Sequence, residues 1–527
     1  MWKRKRWVPL AVLAFLLQLL LEAYAALHIQ KLNMLPERYL YLAYGVLAGV
    51  AVLNFFLLFW GTGHGPGKRR RVRRIIAIIL AICMGAGSVY VADVTGKISQ
   101  TVTTVTETTT TLAAMEGVYV LSSDSAADIQ AAADYSFGIM SDFDADNTQA
   151  AVSEISEVLG KQITTVSRPS AIENAAALYQ GDIKAIILNE AYVSALTDTE
   201  DYADFETAAK LIYEVPVKKT VQKQTKEEAA EDAGVSSDSA ASAAGDGSSG
   251  KSLGGIVSDV TEQPFVFYIS GSDTRNAMLD TSRSDVNILM VVNPRTRQIL
   301  LLNTPRDYYV ENPAGNWAYD KLTHCGIYGI DCSEKALENL YSVKINYYAQ
   351  INFTGFETLI DAIGGVTVDS PEAFEAGGYS FTEGENTLNG KQALAFARER
   401  HAFAGGDNVR GQNQMRVIKS VISKITSDGG TVLLHYGEIL DSLSGMFVTD
   451  MNSDDISALV KMQLNDMSSW NVESYAVTGT GGMDTTYSMP GYSVYVMYQN
   501  PDMVAKATGL IDKVESGVIL TDGDVAG

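Results

Sequence analysis

Three apolar runs near the N-terminus constrain this chain before anything else does. They are Trp7 to Leu27, Tyr39 to Trp60 and Ile75 to about Val91, each close to the roughly 20 residues that a helix needs to cross a bilayer. Lys3, Arg4, Lys5 and Arg6 precede the first run, and Lys68, Arg69, Arg70, Arg71, Arg73 and Arg74 sit between the second and third. The connection between the first two holds only Lys31 and Arg38. Basic residues concentrate on the cytoplasmic side of membrane proteins, so the pattern predicts a multi-pass cell-membrane protein with a cytoplasmic N-terminus and everything after residue 95 outside. A cleaved signal peptide does not fit, because the first run is too long and two more follow.

Charge divides along the same line. Residues 1–94 contain 12 Lys+Arg against 3 Asp+Glu, and the remainder is strongly acidic, giving the whole chain a net charge of −22. So acidic an exterior argues against nucleic acid as a partner. It also has no access to cytoplasmic nucleotides, so any phosphate chemistry there must use a lipid-borne or extracellular substrate. The expected organisation is a three-span anchor at 1–94, an accessory α/β domain at 95–222, a flexible Ser/Ala/Gly/acidic linker at 223–255, a catalytic domain at 256–515 and a tail at 516–527.

Within the accessory region, Gly117 to Leu121 and Ile183 to Leu188 are strand-like, while Ala126 to Ala133, Ala150 to Leu159 and Ala171 to Tyr179 suit helices. Thr101 to Thr111 is nearly all Thr and Val, a spacer or an extended strand.

In the C-terminal half, Pro264 to Ser270, Val286 to Val292 and Gln298 to Asn303 are short apolar runs bounded by turn residues, the pattern of buried strands. Asn293 to Arg297 joins the second and third as an antiparallel hairpin. If the first strand is also antiparallel to the second, Asp273, Arg283, Asp285, Arg306 and Asp307 gather at one sheet edge. Asn389 to Arg400 reads as a short helix ending in Arg398 and Arg400. Gly411 to about Thr426 reads as another, with Arg410 and Gln414 four apart at its start, where helix geometry favours an anion. Guanidinium forks bind phosphate oxygens in pairs. Any one of these arginines could instead solvate a surface or pair with Glu399 or Asp407; as a set they point to a phosphate. Asp273 and Asp285 have the hard oxygen character that suits Mg²⁺ (or Mn²⁺) beside phosphate oxygens. No Gly-x-Ser-x-Gly, His-Glu-x-x-His or P-loop is present, and His324 and His401 read as structural.

These motifs, Gly271-Ser-Asp-Thr-Arg275, Arg283-Ser-Asp-Val-Asn-Ile-Leu289, Pro305-Arg-Asp307, Asp320-Lys-Leu-Thr-His324, Asn352-Phe-Thr-Gly-Phe356, Arg398-Glu-Arg400 and Asp407-Asn-Val-Arg-Gly-Gln-Asn-Gln414, together resemble the LytR-CpsA-Psr family. The resemblance covers about 262–426, more weakly to 515. It implies an α/β sandwich around a mixed central sheet, in a membrane-anchored phosphotransferase. The family moves a glycopolymer of teichoic acid or capsular type from a polyprenyl pyrophosphate carrier to peptidoglycan. It further implies that Arg306, Arg398, Arg400, Arg410 and Gln414 grip the pyrophosphate, that Asp273 and Asp285 hold the metal, and that Arg283 lies beside both. Asp307 is the candidate base; Asp407 orients the arginines or moves a proton. Asn413 stands where some relatives carry a further arginine. The stripe Phe353, Phe356, Leu359, Ile360 and Ile363 is either core or a groove for the lipid tail, and Trp317 either stacks on a sugar or packs. Cys325 and Cys332, seven apart in an external domain, could form a disulfide. Two other readings keep the same arginines: a polyprenyl-pyrophosphate hydrolase, and a non-catalytic lipid-pyrophosphate binding or regulatory protein.

Overall fold

Helices α1 (Trp7–Leu32), α2 (Glu37–Phe59) and α3 (Gly67–Thr106) begin the computed structural model, which describes residues 7–59, 67–106, 109–141, 143–222, 257–272, 282–403, 405–427 and 446–526. Each contains a stretch long and apolar enough to cross a membrane: Val12–Leu32, Glu37–Phe59 and Val72–Gln100. Leu13, Leu20 and Leu42 lie exposed on the bundle, as expected where lipid is the solvent, whereas polar groups turn inward. Gln18 donates to Glu22 Oε1 at 2.8 Å and accepts from Asn54, so three buried polar side chains are linked across two helices.

The third helix is longer than the sequence reading expects. It runs unbroken for 40 residues, past Val91 and past residue 94, to Thr106. No proline interrupts it, and extending an established helix costs little. The Thr/Val run is consequently divided, its first part closing α3 and its last part opening a strand. Asn452–Ser468 groups with this bundle. Arg38 donates to the Leu464 carbonyl at 2.9 Å and Lys461 to Asn33 at 2.6 Å.

The second unit takes in 107–424, 445–451 and 469–527. Its first part is a five-stranded mixed sheet in the order β3-β2-β4-β1-β5, formed by β1 (Thr109–Leu121), β2 (Ser136–Met140), β3 (Thr164–Arg168), β4 (Ala185–Asn189) and β5 (Ala209–Gln222). The connecting helices are α4 (Ala145–Leu159), α5 (Ala171–Gln180) and α6 (Glu190–Thr197). Ser170 caps α5 by accepting from the Glu173 N–H, and Gly181 ends it at φ 77°. The helix expected at Ala126–Ala133 does not form, and turns occupy the segment. Asp124 accepts from the Ala126 N–H at 2.8 Å and Asp128 from the Ala131 N–H at 2.9 Å. These side-chain acceptors offer the backbone a local alternative to a helix.

The second part is built on a six-stranded mixed sheet, in the order β16-β11-β6-β7-β8-β17. Its strands are β6 (Phe265–Ser272), β7 (Ser284–Asn293), β8 (Gln298–Asn303), β11 (Tyr347–Asn352), β16 (Phe447–Thr449) and β17 (Asn471–Ala476). Smaller pairs are β9 (Tyr309–Asn312) with β10 (Ala318–Lys321), β12 (Val366–Ser370) with β15 (Gly384–Leu388), β13 (Phe374–Ala376) with β14 (Tyr379–Phe381), and β18 (Gly479–Thr486) with β19 (Met489–Gln499). Alternation along the strands sends Val266, Tyr268, Leu289, Val291, Leu300 and Leu302 into one core, which the helices Ile330–Tyr341 and Pro501–Glu515 cover. The opposite face, carrying Phe267, Ile269 and Met290, borders a cavity instead.

The two parts share one hydrophobic cluster. Tyr119, Tyr192, Leu196 and Phe205 of the accessory part are buried with Ile327, Met489, Val494 and Val496 of the larger part. Cys325 and Cys332 lie near this junction as free, buried thiols. They form no disulfide: Cys325 Sγ lies 4.0 Å from the Lys321 carbonyl, and Cys332 Sγ lies 3.2 Å from Asn312 Oδ1.

Candidate functional site

β6 and β7 run antiparallel, with Ser272 opposite Ser284, and β7 and β8 run antiparallel, with Asn303 opposite Ile288. The start of β7 and the exit from β8 therefore share one sheet edge, and Arg283, Asp285, Arg306 and Asp307 meet there. Arg306 Nη1 donates to both Asp285 oxygens, at 3.0 and 3.2 Å. The Arg306 carbonyl accepts from the Thr323 N–H at 2.8 Å, and the Thr323 hydroxyl donates to Asp285 at 3.3 Å. This short turn therefore braces the arginine and its carboxylate together.

Two further cations enter from other elements. Lys321, at the end of β10 and only 2 % exposed, lies 3.1 Å from Asp307. Arg410 belongs to the helix Asp407–Ser427, which starts one turn earlier than the sequence reading places it. Its guanidinium meets Asp407 at 2.7 Å and approaches Asp285 at 4.0 Å. Gly411 makes the approach possible, since a Cβ there would stand 2.2 Å from the Asn303 side-chain oxygen at the end of β8. Gly326 acts similarly behind Arg283, where a Cβ would meet the Ser284 backbone nitrogen at 2.6 Å.

Charge in this cluster is strongly biased. Burial pushes the Asp285 carboxyl up, but Arg306, Arg283 and Arg410 outweigh it and hold it well below the usual carboxylate range. Asp307 behaves alike: burial raises it, and Lys321 and Arg306 bring it below its ordinary value. Asp285 in turn drives the Arg306 guanidinium further towards its charged form. Asp407 goes the other way, because burial dominates and raises its pKa despite Arg410.

The cluster forms the polar end of a cavity of about 1020 Å³. Arg283, Asp285, Arg306, Arg398, Arg400, Arg410 and Gln414 all line it, and its body is apolar, with Phe267, Met290, Ile351, Leu394, Ile418 and Phe447. Arg398 and Arg400 are exposed at the end of the helix Gly390–Arg398 and beyond it, Arg398 lying over the Phe353 ring at 4.2 Å. The apolar stripe divides: Phe353, Phe356 and Leu359 line the cavity, whereas Ile360 and Ile363 are core. Asn413 is fully buried, its amide 3.4 Å from the Phe396 carbonyl. His324 is buried against Asp320 at 2.7 Å, whereas His401 lines the cavity. Trp317 stands exposed in a left-handed turn at φ 67°. Asp273 lies outside the described residues.

Two site residues escape the sequence reading. Lys321 lies inside a quoted motif, but a lone lysine after an aspartate carries no spacing signal. Asp198, at the C-terminal end of α6, belongs to the accessory part, yet lies 2.6 Å from Arg283 and 3.7 Å from Arg306.

The donor set can be weighed for a metal. Among the described residues no three His, Cys, Asp or Glu side chains converge as a preformed site. Asp285 borders the cavity among Arg283, Arg306 and Arg410, which fits a Mg²⁺ held by one or two carboxylates and by phosphate oxygens of a bound substrate rather than by a protein cage.

Comparison with known proteins bears on the same region. The model of the LytR_cpsA_psr family matches residues 216–506. The polyisoprenyl-teichoic acid–peptidoglycan teichoic acid transferase TagU of Oceanobacillus iheyensis is 35% identical over 221 residues, 40% of this chain and 67% of its own length. The Enterococcus faecalis protein of that name is 34% identical over 225 residues, 42% of this chain and 72% of its own. Among solved structures, TagT bound to LI-WTA shares 26% identity and a TM-score of 0.40 over 50% of this chain and 94% of its own. B. subtilis TagU shares 26% and 0.38 over 49% and 100%.

Proposed function

This chain belongs to the LytR_cpsA_psr family, and from that premise we propose that it is a membrane-anchored phosphotransferase moving a teichoic-acid-type glycopolymer from a polyprenyl pyrophosphate carrier to peptidoglycan. The observation that carries this reading is the composition of one cavity: an arginine-rich end continuous with an apolar body. A lipid pyrophosphate has the same two halves. Its charged head suits the guanidinium forks of Arg306, Arg410, Arg398 and Arg400, assisted by Gln414, and its polyprenyl chain suits the aliphatic and aromatic walls. The names of the relatives supply the glycan and the acceptor.

In the proposed reaction a peptidoglycan sugar hydroxyl attacks the phosphorus that bears the glycan. A new P–O bond forms, the bridging P–O bond breaks, and polyprenyl phosphate leaves with the electron pair. Phosphoryl transfer asks a protein mainly for in-line positioning and for neutralisation of the non-bridging oxygens. Arg306 and Arg410 provide that charge from buried, braced positions. The hydroxyl proton needs an acceptor, and Asp407 suits that role better than Asp307. Both are ion-paired, Asp307 with Lys321 at 3.1 Å and Asp407 with Arg410 at 2.7 Å, but Asp307 is held below its normal range whereas burial raises Asp407 towards the pH at which a base is effective. A Mg²⁺ held by Asp285, with Asp273 as the second carboxylate, would add neutralising charge beside the phosphate oxygens.

The anchor fits a substrate that lives in the membrane. The basic flanks favour a cytoplasmic N-terminus with the catalytic part outside. The test is transfer by the full-length protein in liposomes containing a radiolabelled polyprenyl-pyrophosphate oligosaccharide, with peptidoglycan oligomers as acceptor. Label on the acceptor, lost in Arg306→Ala, supports the transferase. Free glycan phosphate in place of labelled acceptor would establish a hydrolase, and donor binding without turnover a regulatory binder.

A further inference from the structure

Three buried cations of the cluster take a carboxylate from the catalytic fold itself: Arg306 from Asp285 at 3.0 Å, Lys321 from Asp307 at 3.1 Å and Arg410 from Asp407 at 2.7 Å. Arg283 reaches a carboxylate of the accessory part. Its Nη1 donates to Asp198 Oδ2 at 2.6 Å and to the Ser194 carbonyl at 3.2 Å. Both acceptors lie at the C-terminal end of α6, where the negative end of the helix dipole favours a cation.

We propose that Asp198 is a positioning residue of the pyrophosphate site, and that the accessory domain is therefore a wall of that site rather than a spacer. The proposal rests on reading the cluster as a pyrophosphate cradle. Arg283 is 6 % exposed and lines the cavity, as do Asp198 and Thr197. A guanidinium held at Nη1 by two acceptors is restricted in direction, so a ligand meets it with less of the entropy cost of ordering a long side chain. Asp198 also lies 3.7 Å from Arg306 Nη2 and 4.0 Å from Lys321 Nζ, joining three cations of the cradle through one carboxylate.

The grip is held rigidly from behind. On α6, Tyr192 and Leu196 are buried in the cluster shared with Ile327, Val494 and Val496, and Phe143 meets Tyr487 edge-on with ring centroids 5.3 Å apart. The turn that carries Ile327 starts at Gly326, which presses on the backbone beside Arg283. The same packing therefore locates both partners of the ion pair.

The test compares Asp198→Asn, Asp198→Glu, Arg283→Ala and the double variant D198N/R283A in the full-length protein. It reads kcat and KM for donor, inorganic pyrophosphate binding by calorimetry, and the melting temperature. Asp198→Asn is expected to lower kcat/KM about tenfold or more, with Asp198→Glu recovering much of the loss. In the Arg283→Ala background the Asn substitution should cost clearly less than it does alone, because the shortest contact of Asp198, at 2.6 Å, is with Arg283. Fully additive losses, no loss, or a gain in donor affinity that would mark Asp198 as a competing anion would each overturn the proposal. If the protein binds pyrophosphate but shows no turnover, calorimetry on the four variants reads the same coupling. If the unmodified protein binds no pyrophosphate, the cradle reading falls and the proposal with it.

Discussion

Asp307 and Asp407 belong to one cluster of charges yet are driven in opposite directions, and the difference assigns them different work. Asp407 has a raised pKa in the folded protein, so its base form is lost as pH falls at values above the ordinary carboxylate pKa of about 3.9. Asp407→Asn should lower kcat by about 10²- to 10⁴-fold and remove the acid limb of the pH–rate profile. Raised burial also means that the neutral form suits the fold, so stability contributed by protonation is present at low pH and lost as pH rises. Asp407→Asn should accordingly melt no lower than the parent at neutral pH. Asp285 has the opposite sign: its lowered pKa gives stability above about pH 3.9 that disappears as pH falls through the folded value. Asp285→Asn should therefore be less stable at pH 7, with the gap closing in acid, as thermal melts across pH would show. At Arg306 a lysine offers a point charge where a fork is needed, so Arg306→Lys should recover little of the activity that Arg306→Ala loses in the transfer assay. The sequence discloses Arg283, Asp285, Arg306 and Asp307 as a group because strand ends with turn residues bring distant positions to one edge. It does not disclose Asp198, whose place depends on how one sheet packs against another.

At the level of elements, a helix carries the site only if it can lie close to β8. Gly411→Ala would drive a methyl group into Asn303, forcing the helix Asp407–Ser427 outward with Arg410 on it. A loss of about 1–3 kcal/mol in denaturant unfolding, with a raised donor KM, is expected. The strands β6, β7 and β8 and the helix ending at Arg398 are legible from apolar runs and punctuation, since local pattern and tertiary burial agree there. Ala126–Ala133 misleads for a local reason: alanines favour a helix, but Asp124 and Asp128 capture backbone N–H groups first. The Thr/Val run misleads because composition alone does not say where a helix launched inside a membrane stops. The cysteines show how little spacing says about bonding. Thiol titration of the unfolded, unreduced protein should find three free cysteines, and reductant should leave the melting temperature unchanged.

The whole molecule joins a membrane bundle to a unit in which two sheets share a hydrophobic cluster and one cavity. A charged end and an apolar body in a single cavity require a ligand with both properties, and three apolar helices keep the protein where such a ligand resides. The bond to be broken is then the pyrophosphate itself, which gives the product a distinctive mass. The most direct measurement is mass spectrometry of muropeptides recovered after the full-length protein has acted on a polyprenyl-pyrophosphate oligosaccharide and peptidoglycan. The account predicts muropeptides heavier by the oligosaccharide plus one phosphate. Muropeptides heavier by the oligosaccharide alone would show cleavage at the sugar carbon rather than at phosphorus and would contradict it.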